Sequence, residues 1–290
     1  NKRINLHDLG SLPYVKTKKR KNAEYNDLTL LNPRLAPGYE ESVRRLRIRV
    51  MRVAEKLNGG VIMVTSSVPG EGKTTIAVNL AIAIARQGKS VILADCDPRN
   101  PSVAGVMHNT GQHPGIGAVL RGKVSLQHAL SDPEIPDVKM KVLFGGKPNA
   151  DDAALLGSRR MEDAIEAMRE QADYVILDTA PAELLADASQ LAKYVDSALY
   201  VIRCDYTKMT KIRDGIETLT MRNVNIMGYV FNGDVNQKLS RYGYGYGYGY
   251  GYGKYGHYGR YGRYGSYSRY GKKLKDTGKT EDESGRIIKE

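Results

Sequence analysis

The segment "SVPGEGKTT" combines residue types that bind phosphate groups. Gly70 and Gly72 let backbone N–H groups turn inward with no Cβ in the way, and the apolar helix that follows directs its positive end at an anion. Lys73 can reach β- and γ-phosphate oxygens, and the Thr74 hydroxyl can ligate Mg²⁺. The spacing fits the phosphate-loop pattern, with Ser67 replacing its first glycine. We therefore predict a nucleotide site here.

Three carboxylates follow apolar segments that resemble buried strands. Asp95 and Asp97 end "VILADCD", and Asp178 follows "YVIL". Residues two apart on a strand face the same side, so Asp95 and Asp97 should meet at the carboxyl edge of a sheet. A divalent cation needs hard oxygen ligands, and a hydroxyl nucleophile needs a proton acceptor. For the pair alone, an acidic turn after a strand is the alternative. Together with Lys73, the three acids predict one site.

Alternation of apolar strands and helices predicts the fold class. It is α/β and similar to P-loop NTPases, with a mostly parallel sheet covered by helices on both faces. The predicted strands are "GGVIMVTS", "SVILADCD", "KVLFGG", "DYVILDTAP", "SALYVIRC" and "IMGYVFN". The predicted helices are 38–56, "TTIAVNLAIAIARQG", "SRRMEDAIEAMREQA", and segments near 187–193 and 208–221, with a loop-rich stretch from the second strand to about residue 137.

Composition divides the chain into three parts. Residues 1–37 carry scattered prolines and charges and are predicted to be a linker, 38–236 form the folded domain, and 237–290 are a disordered tail. No stretch approaches the roughly 18–20 apolar residues of a membrane span, so we expect this piece to be soluble.

The tail is rich in tyrosine and glycine and offers no aliphatic core, so ordering it would cost more free energy than burial returns. It also holds eight Lys and Arg between residues 241 and 275, with no acid in that range. It contains twelve tyrosines, which are candidate phosphate acceptors: Tyr242, Tyr244, Tyr246, Tyr248, Tyr250, Tyr252, Tyr255, Tyr258, Tyr261, Tyr264, Tyr267 and Tyr270.

These motifs resemble the bacterial tyrosine kinases of capsule and exopolysaccharide export, over nearly all of 38–236 plus the tail. "SVPGEGKTT" is similar to the Walker A motif of that family, "VILADCDPR" to its Walker A′ and "YVILDTAP" to its Walker B. The resemblance implies ATP and Mg²⁺ as cofactors and phosphorylation of the tail tyrosines between subunits. It implies a metal site of Thr74, Asp95 and Asp178, with Asp97 serving the incoming tyrosine. The implied nucleotide contacts are Ser67, Val68, Pro69, Gly70, Glu71, Gly72, Lys73, Thr74, Thr75 and Asn232.

The resemblance also implies partners. "EESVRRLR" contains Glu41, Arg44 and Arg47, which match an E-x-x-R-x-x-R element that contacts neighbouring subunits in a ring, an octamer in the family. "LHDLGSLPYV" is similar to the segment after the second membrane helix when the kinase is fused to its membrane activator, the polysaccharide co-polymerase. A cognate tyrosine phosphatase and a location at the cytoplasmic face of the bacterial plasma membrane are further implications. No nucleic acid partner is expected.

Two other interpretations stay open. A partitioning or positioning ATPase would share the sheet and the carboxylates, but its signature lysine would stand at Val68. A scaffold with an RNA-binding or condensing tail would use aromatic and cation–π contacts. The sequence departs from the kinase pattern at Pro98 and at Asp151-Asp152, which puts the geometry of the substrate loop in doubt more than catalysis.

Overall fold

The computed structural model describes residues 4–16, 28–109, 111–182 and 190–237. The twelve tail tyrosines and the first three positions of the predicted helix near 187–193 lie outside these residues. An eight-stranded sheet runs through the described part in the order β1-β8-β7-β2-β6-β3-β5-β4. The strands are β1 (Asp8–Pro13), β2 (Val61–Ser66), β3 (Val91–Cys96), β4 (Leu130–Ser131), β5 (Met140–Leu143), β6 (Tyr174–Thr179), β7 (Ser197–Arg203) and β8 (Ile226–Asp234).

Every strand pair is parallel except β4 with β5, so the predicted mostly parallel α/β sheet is confirmed. Helices connect the strands. They are α1 (Pro37–Lys56), α2 (Lys73–Ala85), α3 (Val103–Val106), α4 (Ile116–Leu120), α5 (Leu126–Ala129), α6 (Arg159–Arg169) and α7 (Met209–Thr220). Two 3₁₀ segments, Ala150–Gly157 and Ala192–Tyr194, complete the described elements.

Both faces of the sheet are buried. Side chains alternate along its central strands, so neighbouring residues pack into the two cores on opposite sides of the sheet. On β2, Ile62 and Val64 join the core under α1 and α2, whereas Val61 and Met63 join the core under α6 and α7. Helix α2 is apolar on all sides because it is buried between the sheet and α1. This arrangement fixes the carboxyl ends of β2, β3 and β6 side by side at one edge.

The predicted linker contributes a strand, which differs from the sequence interpretation of 1–37. Asp8–Pro13 pair in parallel with β8, and Leu9 and Leu12 are buried. Farther on, the Asn79 amide of α2 accepts from the Leu30 N–H at 2.8 Å and donates to the Leu28 carbonyl at 2.7 Å. The prolines and charges of this segment gave no sign of these contacts, and the contacts join segments that are far apart in sequence. The boundaries of the three parts stay a prediction.

The stretch between β3 and β5 also differs from the predicted loop, since it contains three short helices and one two-residue strand. Local capping explains part of this difference. The Ser125 hydroxyl accepts a hydrogen bond from the His128 N–H at 3.2 Å, which caps the start of α5. Helices this short give too little periodicity to be recognised in a sequence.

In the part of the chain that the structure describes, no helix combines the length and the apolar composition that crossing a bilayer requires.

Candidate active site

The phosphate loop lies between the carboxyl end of β2 and the amino end of α2. Gly70 and Gly72 adopt left-handed conformations, with φ of 85° and 91°. A Cβ at Gly70 would lie 2.6 Å from the Tyr206 hydroxyl, and one at Gly72 would collide with the Asn232 amide. Both positions therefore require glycine on conformational and steric grounds. The first N–H groups of α2 have no acceptor within the helix, so they are suited to an anion.

Side chains from β7, β8 and the turn after β7 hold the outer side of the loop. The Ser67 hydroxyl is hydrogen-bonded to the Tyr200 hydroxyl at 3.1 Å. The Asn232 amide donates to the Glu71 carbonyl at 2.8 Å. The Val68 N–H donates to the Glu71 carboxylate at 2.8 Å. These hydrogen bonds within the protein involve Ser67, Val68, Glu71 and Asn232, all of which are predicted nucleotide contacts.

Lys73 and the three predicted acids converge at the carboxyl edge of the sheet. Asp95 and Asp178 occupy paired positions on the neighbouring strands β3 and β6. The Lys73 ammonium lies 4.0 Å from the Asp97 carboxylate. All four side chains are buried, and Thr74 is buried beside them. Sequence reasoning predicted this grouping, and the structure places these residues together.

The acids differ in their hydrogen bonds. Asp95 accepts from the N–H groups of Ser102 and Val103, at 2.8 and 3.0 Å, and so caps the start of α3. Asp97 accepts from the Asn100 N–H at 3.1 Å. Asp178 has no hydrogen-bond partner for either oxygen among the described residues, although it is fully buried. Asp178 is therefore the acid best suited to a ligand that brings its own donors.

Burial controls the ionisation of this site. Desolvation raises the pKa of Asp178 above its ordinary value, although the Lys73 charge and the nearby Thr74 hydroxyl act in the opposite direction. Desolvation also raises the pKa of Asp95, against the lowering effect of its backbone donors. The Asp95 charge also raises the pKa of Asp178, and the Asp97 charge raises the pKa of Asp95. A cation at this position would relieve the cost of two buried negative charges.

The residues fit magnesium that arrives with a nucleotide. Among residues that the structure describes, no three His, Cys, Asp or Glu side chains form a metal cage. Mg²⁺ in phosphate sites needs only one or two protein oxygens, because water and phosphate supply the others. Thr74 and Asp178 offer such oxygens, and the unpartnered Asp178 carboxylate is suited to accept hydrogen bonds from metal-bound water. Asp95 is placed beside them.

With Mg²⁺ and nucleotide removed, we expect Asp178→Asn to raise the melting temperature at pH 8 by about 2–4 °C. In a domain of this size, that shift corresponds to ~1 kcal/mol in the free energy of unfolding. A carboxyl whose pKa is higher in the folded state favours folding when protonated and opposes it as the pH rises through that pKa. The gain should therefore shrink as the pH falls. Thermal melts with EDTA between pH 5 and 8 measure it.

Asp173→Asn is the matched control of opposite sign. Hydrogen bonds from Ser90 lower the pKa of Asp173, so its ionised form stabilises the fold above the unfolded pKa and the effect is lost in acid. Its replacement should lower the melting temperature at pH 8 and do little at low pH. Equal losses for both variants at pH 8 would contradict the burial argument for Asp178.

The three predicted interface residues lie on α1. The Glu41 carboxylate accepts from the Arg44 guanidinium at 2.6 and 2.8 Å and from Arg45 at 2.9 Å. These ion pairs hold the pKa of Glu41 low. Arg47 is buried, and its Nε has no hydrogen-bond partner among the described residues. Burial and the Arg44 charge lower the pKa of Arg47.

Sequence reasoning missed the residues at the end of β7 and in the turn after it. Arg203, Tyr206 and Thr207 all contact the phosphate loop. The sequence did contain a signal for them. The segment "RCDYT" stands at the carboxyl end of a buried parallel strand, as the three acids do. Asp152, which departs from the family pattern, is buried and forms an ion pair with Arg121.

A glycine-rich turn between β2 and α2, with carboxylates at the ends of β3 and β6, defines a P-loop nucleotide-binding protein. Comparison with known proteins refines this class. The family model described as "AAA domain" matches residues 59–227. The chain is 32% identical over 204 residues to the tyrosine-protein kinase CpsD of Streptococcus pneumoniae, which covers 70% of this chain and 88% of that protein.

Two further comparisons agree. The tyrosine-protein kinase YwqD of Bacillus subtilis strain 168 is 31% identical over 220 residues, which cover 75% of this chain and 90% of that protein. The solved BceF tyrosine kinase domain superposes with a TM-score of 0.70 at 26% identity, covering 79% of this chain and 94% of that domain. The chain therefore belongs to the bacterial tyrosine-protein kinases, as its motifs predicted.

Proposed function

We propose that this kinase transfers the γ-phosphoryl group of Mg·ATP to the tyrosines of its own tail, largely between subunits. The observation that carries the proposal is the convergence of Lys73 with Asp95, Asp97 and Asp178 beside the phosphate loop. The tail supplies twelve phenols on the same polypeptide. A phosphoryl donor site and a row of acceptors therefore occur in one chain.

Each residue has a proposed role. Lys73 binds the β- and γ-phosphate oxygens, and the N–H groups at the start of α2 bind the phosphates. Magnesium, when bound with the nucleotide, neutralises charge that develops on the transferred group. Thr74, Asp178 and Asp95 would hold this ion. Asp97 accepts the proton of the incoming phenol, and the Lys73 ammonium lies 4.0 Å from this carboxylate.

Tail composition supports transfer between subunits. The 29 residues from Tyr242 to Tyr270 would have a relaxed span of roughly 30 Å if glycine makes them flexible. That span lets a phenol reach the site of a neighbour. The eight basic residues of the tail would be attracted to an acidic cleft loaded with nucleotide. Each phosphate adds about −1.5 to −2 charge, so phosphorylation reverses the charge of the tail.

We place the subunit contact on α1, at Glu41, Arg44 and Arg47. Arg47 lies one turn after Arg44 on the same helix, and a carboxylate from a second copy would offset these two neighbouring positive charges. Glu41 holds two arginines in fixed positions. These features support a ring of identical subunits, an octamer by family resemblance.

Replacement of all three interface residues by alanine is expected to convert rings into monomers and to slow tail phosphorylation at low protein concentration by about tenfold or more, since several charged contacts are lost at once. Sedimentation velocity measures the first effect. Arg52→Ala, an exposed change on the same helix, is the control. Unchanged rings in the triple variant would move the contact elsewhere.

The wider role is regulation of capsular or exopolysaccharide synthesis and export at the cytoplasmic face of the plasma membrane. The proposed partners are a membrane activator of the polysaccharide co-polymerase type, fused or separate, and a tyrosine phosphatase. Tail phosphorylation would repel neighbouring tails and loosen the ring. The motif similarity of "LHDLGSLPYV" and of α1 supports this assignment.

Mass spectrometry of the tail after expression in cells tests the function. We expect phosphate on several of the twelve tyrosines, with partial occupancy at many because glycine flanks make them similar acceptors. Co-expression of a tyrosine phosphatase should remove it. A tail that carries no phosphate under any growth condition, from a protein that binds ATP, would favour the ATPase interpretation.

A further inference from the structure

We infer that Glu71 is a positioning residue for nucleotide binding, which fixes the shape of the phosphate loop and does not itself contact the nucleotide. Glu71 is fully buried. One carboxylate oxygen accepts from the Val68 N–H at 2.8 Å. The other accepts from the Thr207 hydroxyl at 2.8 Å and from the Arg203 N–H at 3.3 Å. Its side chain thus joins the loop to the turn after β7.

The same turn holds the preceding loop residues. The Arg203 guanidinium donates to the Gly70 carbonyl at 2.9 Å, and the Tyr206 hydroxyl donates to the Pro69 carbonyl at 3.3 Å. The guanidinium also lies over the Tyr206 ring, 4.8 Å from its centroid. We call residues 203–207 the loop clamp. With the Asn232 amide on the Glu71 carbonyl, three consecutive loop carbonyls are bound from one side.

This binding of the carbonyls orients the loop amides. In a planar trans peptide the C=O and the following N–H point in opposite directions. Carbonyls 69, 70 and 71 point toward the clamp and β8, so the N–H groups of Gly70, Glu71 and Gly72 point away from them. Successive N–H groups that face one side form a concave anion site. The clamp therefore sets the orientation that phosphate binding requires before a nucleotide arrives.

The negative charge of Glu71 argues against direct contact between its side chain and the phosphates. A buried carboxylate repels phosphates, so three protein donors must neutralise its charge where it lies. Without these hydrogen bonds the peptide groups of the loop could rotate. Nucleotide binding would then have to fix their orientation, which lowers the affinity. This inference rests on the proposed ATP site, and it assigns Glu71 and Thr207 to the preparation of that site.

Binding titrations with ATP on three variants test the inference. Glu71→Gln keeps the shape but turns an amide donor toward one of the two donor groups, so we expect Kd for ATP to rise about ten- to hundredfold. Thr207→Val removes one of three donors and should raise it about three- to tenfold. Thr207→Ser keeps the hydroxyl and should bind as wild type does. At saturating ATP, kcat should stay within about twofold.

Non-additivity provides the second readout. Because both changes disrupt one clamp, the double variant Glu71→Gln with Thr207→Val should bind ATP about as weakly as Glu71→Gln alone. Wild-type affinity in a folded Glu71→Gln protein would overturn the inference. If that variant fails to fold, equal affinities for Thr207→Val and Thr207→Ser would overturn it. Failure of the wild type to bind ATP would instead refute the proposed function.

Discussion

Tail phosphorylation is expected to fall at least about a hundredfold in Lys73→Met, because the ammonium that lies beside the acids and binds the phosphates is then lost. Methionine has a similar length and no charge, and Lys73 is largely buried, so the fold should be retained. The initial rate of tyrosine phosphorylation with Mg·ATP, quantified by mass spectrometry of tail peptides, measures the loss.

Lys123→Met is the matched control, since Lys123 is exposed in the turn after α4 and should keep the wild-type rate. Binding of a tail-specific partner should survive Lys73→Met if the tail acts as a scaffold. A tail phosphorylated at the wild-type rate in Lys73→Met would contradict the assigned site.

A mixture of two proteins, neither of which can phosphorylate its own tail, is expected to recover tail phosphorylation. The first protein has all twelve tail tyrosines replaced by phenylalanine and keeps its catalytic site. The second is Lys73→Met with an intact tail. Neither can phosphorylate its own tail, but the first should label the second at a rate within about tenfold of wild type if tails reach neighbouring sites. Quantification of phosphotyrosine on the intact tail measures this rescue.

The control mixture carries Lys73→Met in both proteins and should stay unlabelled. Rescue should also weaken when the alanine changes at Glu41, Arg44 and Arg47 are added to both chains. If the mixture forms no phosphotyrosine while the wild type is active, each subunit phosphorylates only its own tail.

The central sheet was predictable because its strands are buried on both faces and are therefore apolar throughout. β2, β3, β6 and β7 each read as one short apolar run, and the acids at their ends share one edge by the geometry of parallel strands. Lys73 with Asp95, Asp97 and Asp178 could thus be grouped without coordinates.

Contacts between distant segments could not be predicted in this way. β1 pairs with β8 more than two hundred residues away, and two leucines among polar residues give no strand pattern. Thr207 meets Glu71 across 136 residues, so the motif could not show that the Glu71 side chain is hydrogen-bonded within the protein. Asp95 accepts hydrogen bonds that Asp178 lacks, and this difference likewise depends on the path of the chain after β3.

The most direct measurement follows the terminal phosphate of labelled ATP through the purified wild-type protein with Mg²⁺. The account predicts that label accumulates as phosphotyrosine in the tail, at a rate that EDTA abolishes. Release of the label only as inorganic phosphate, with no tyrosine modified, would contradict it.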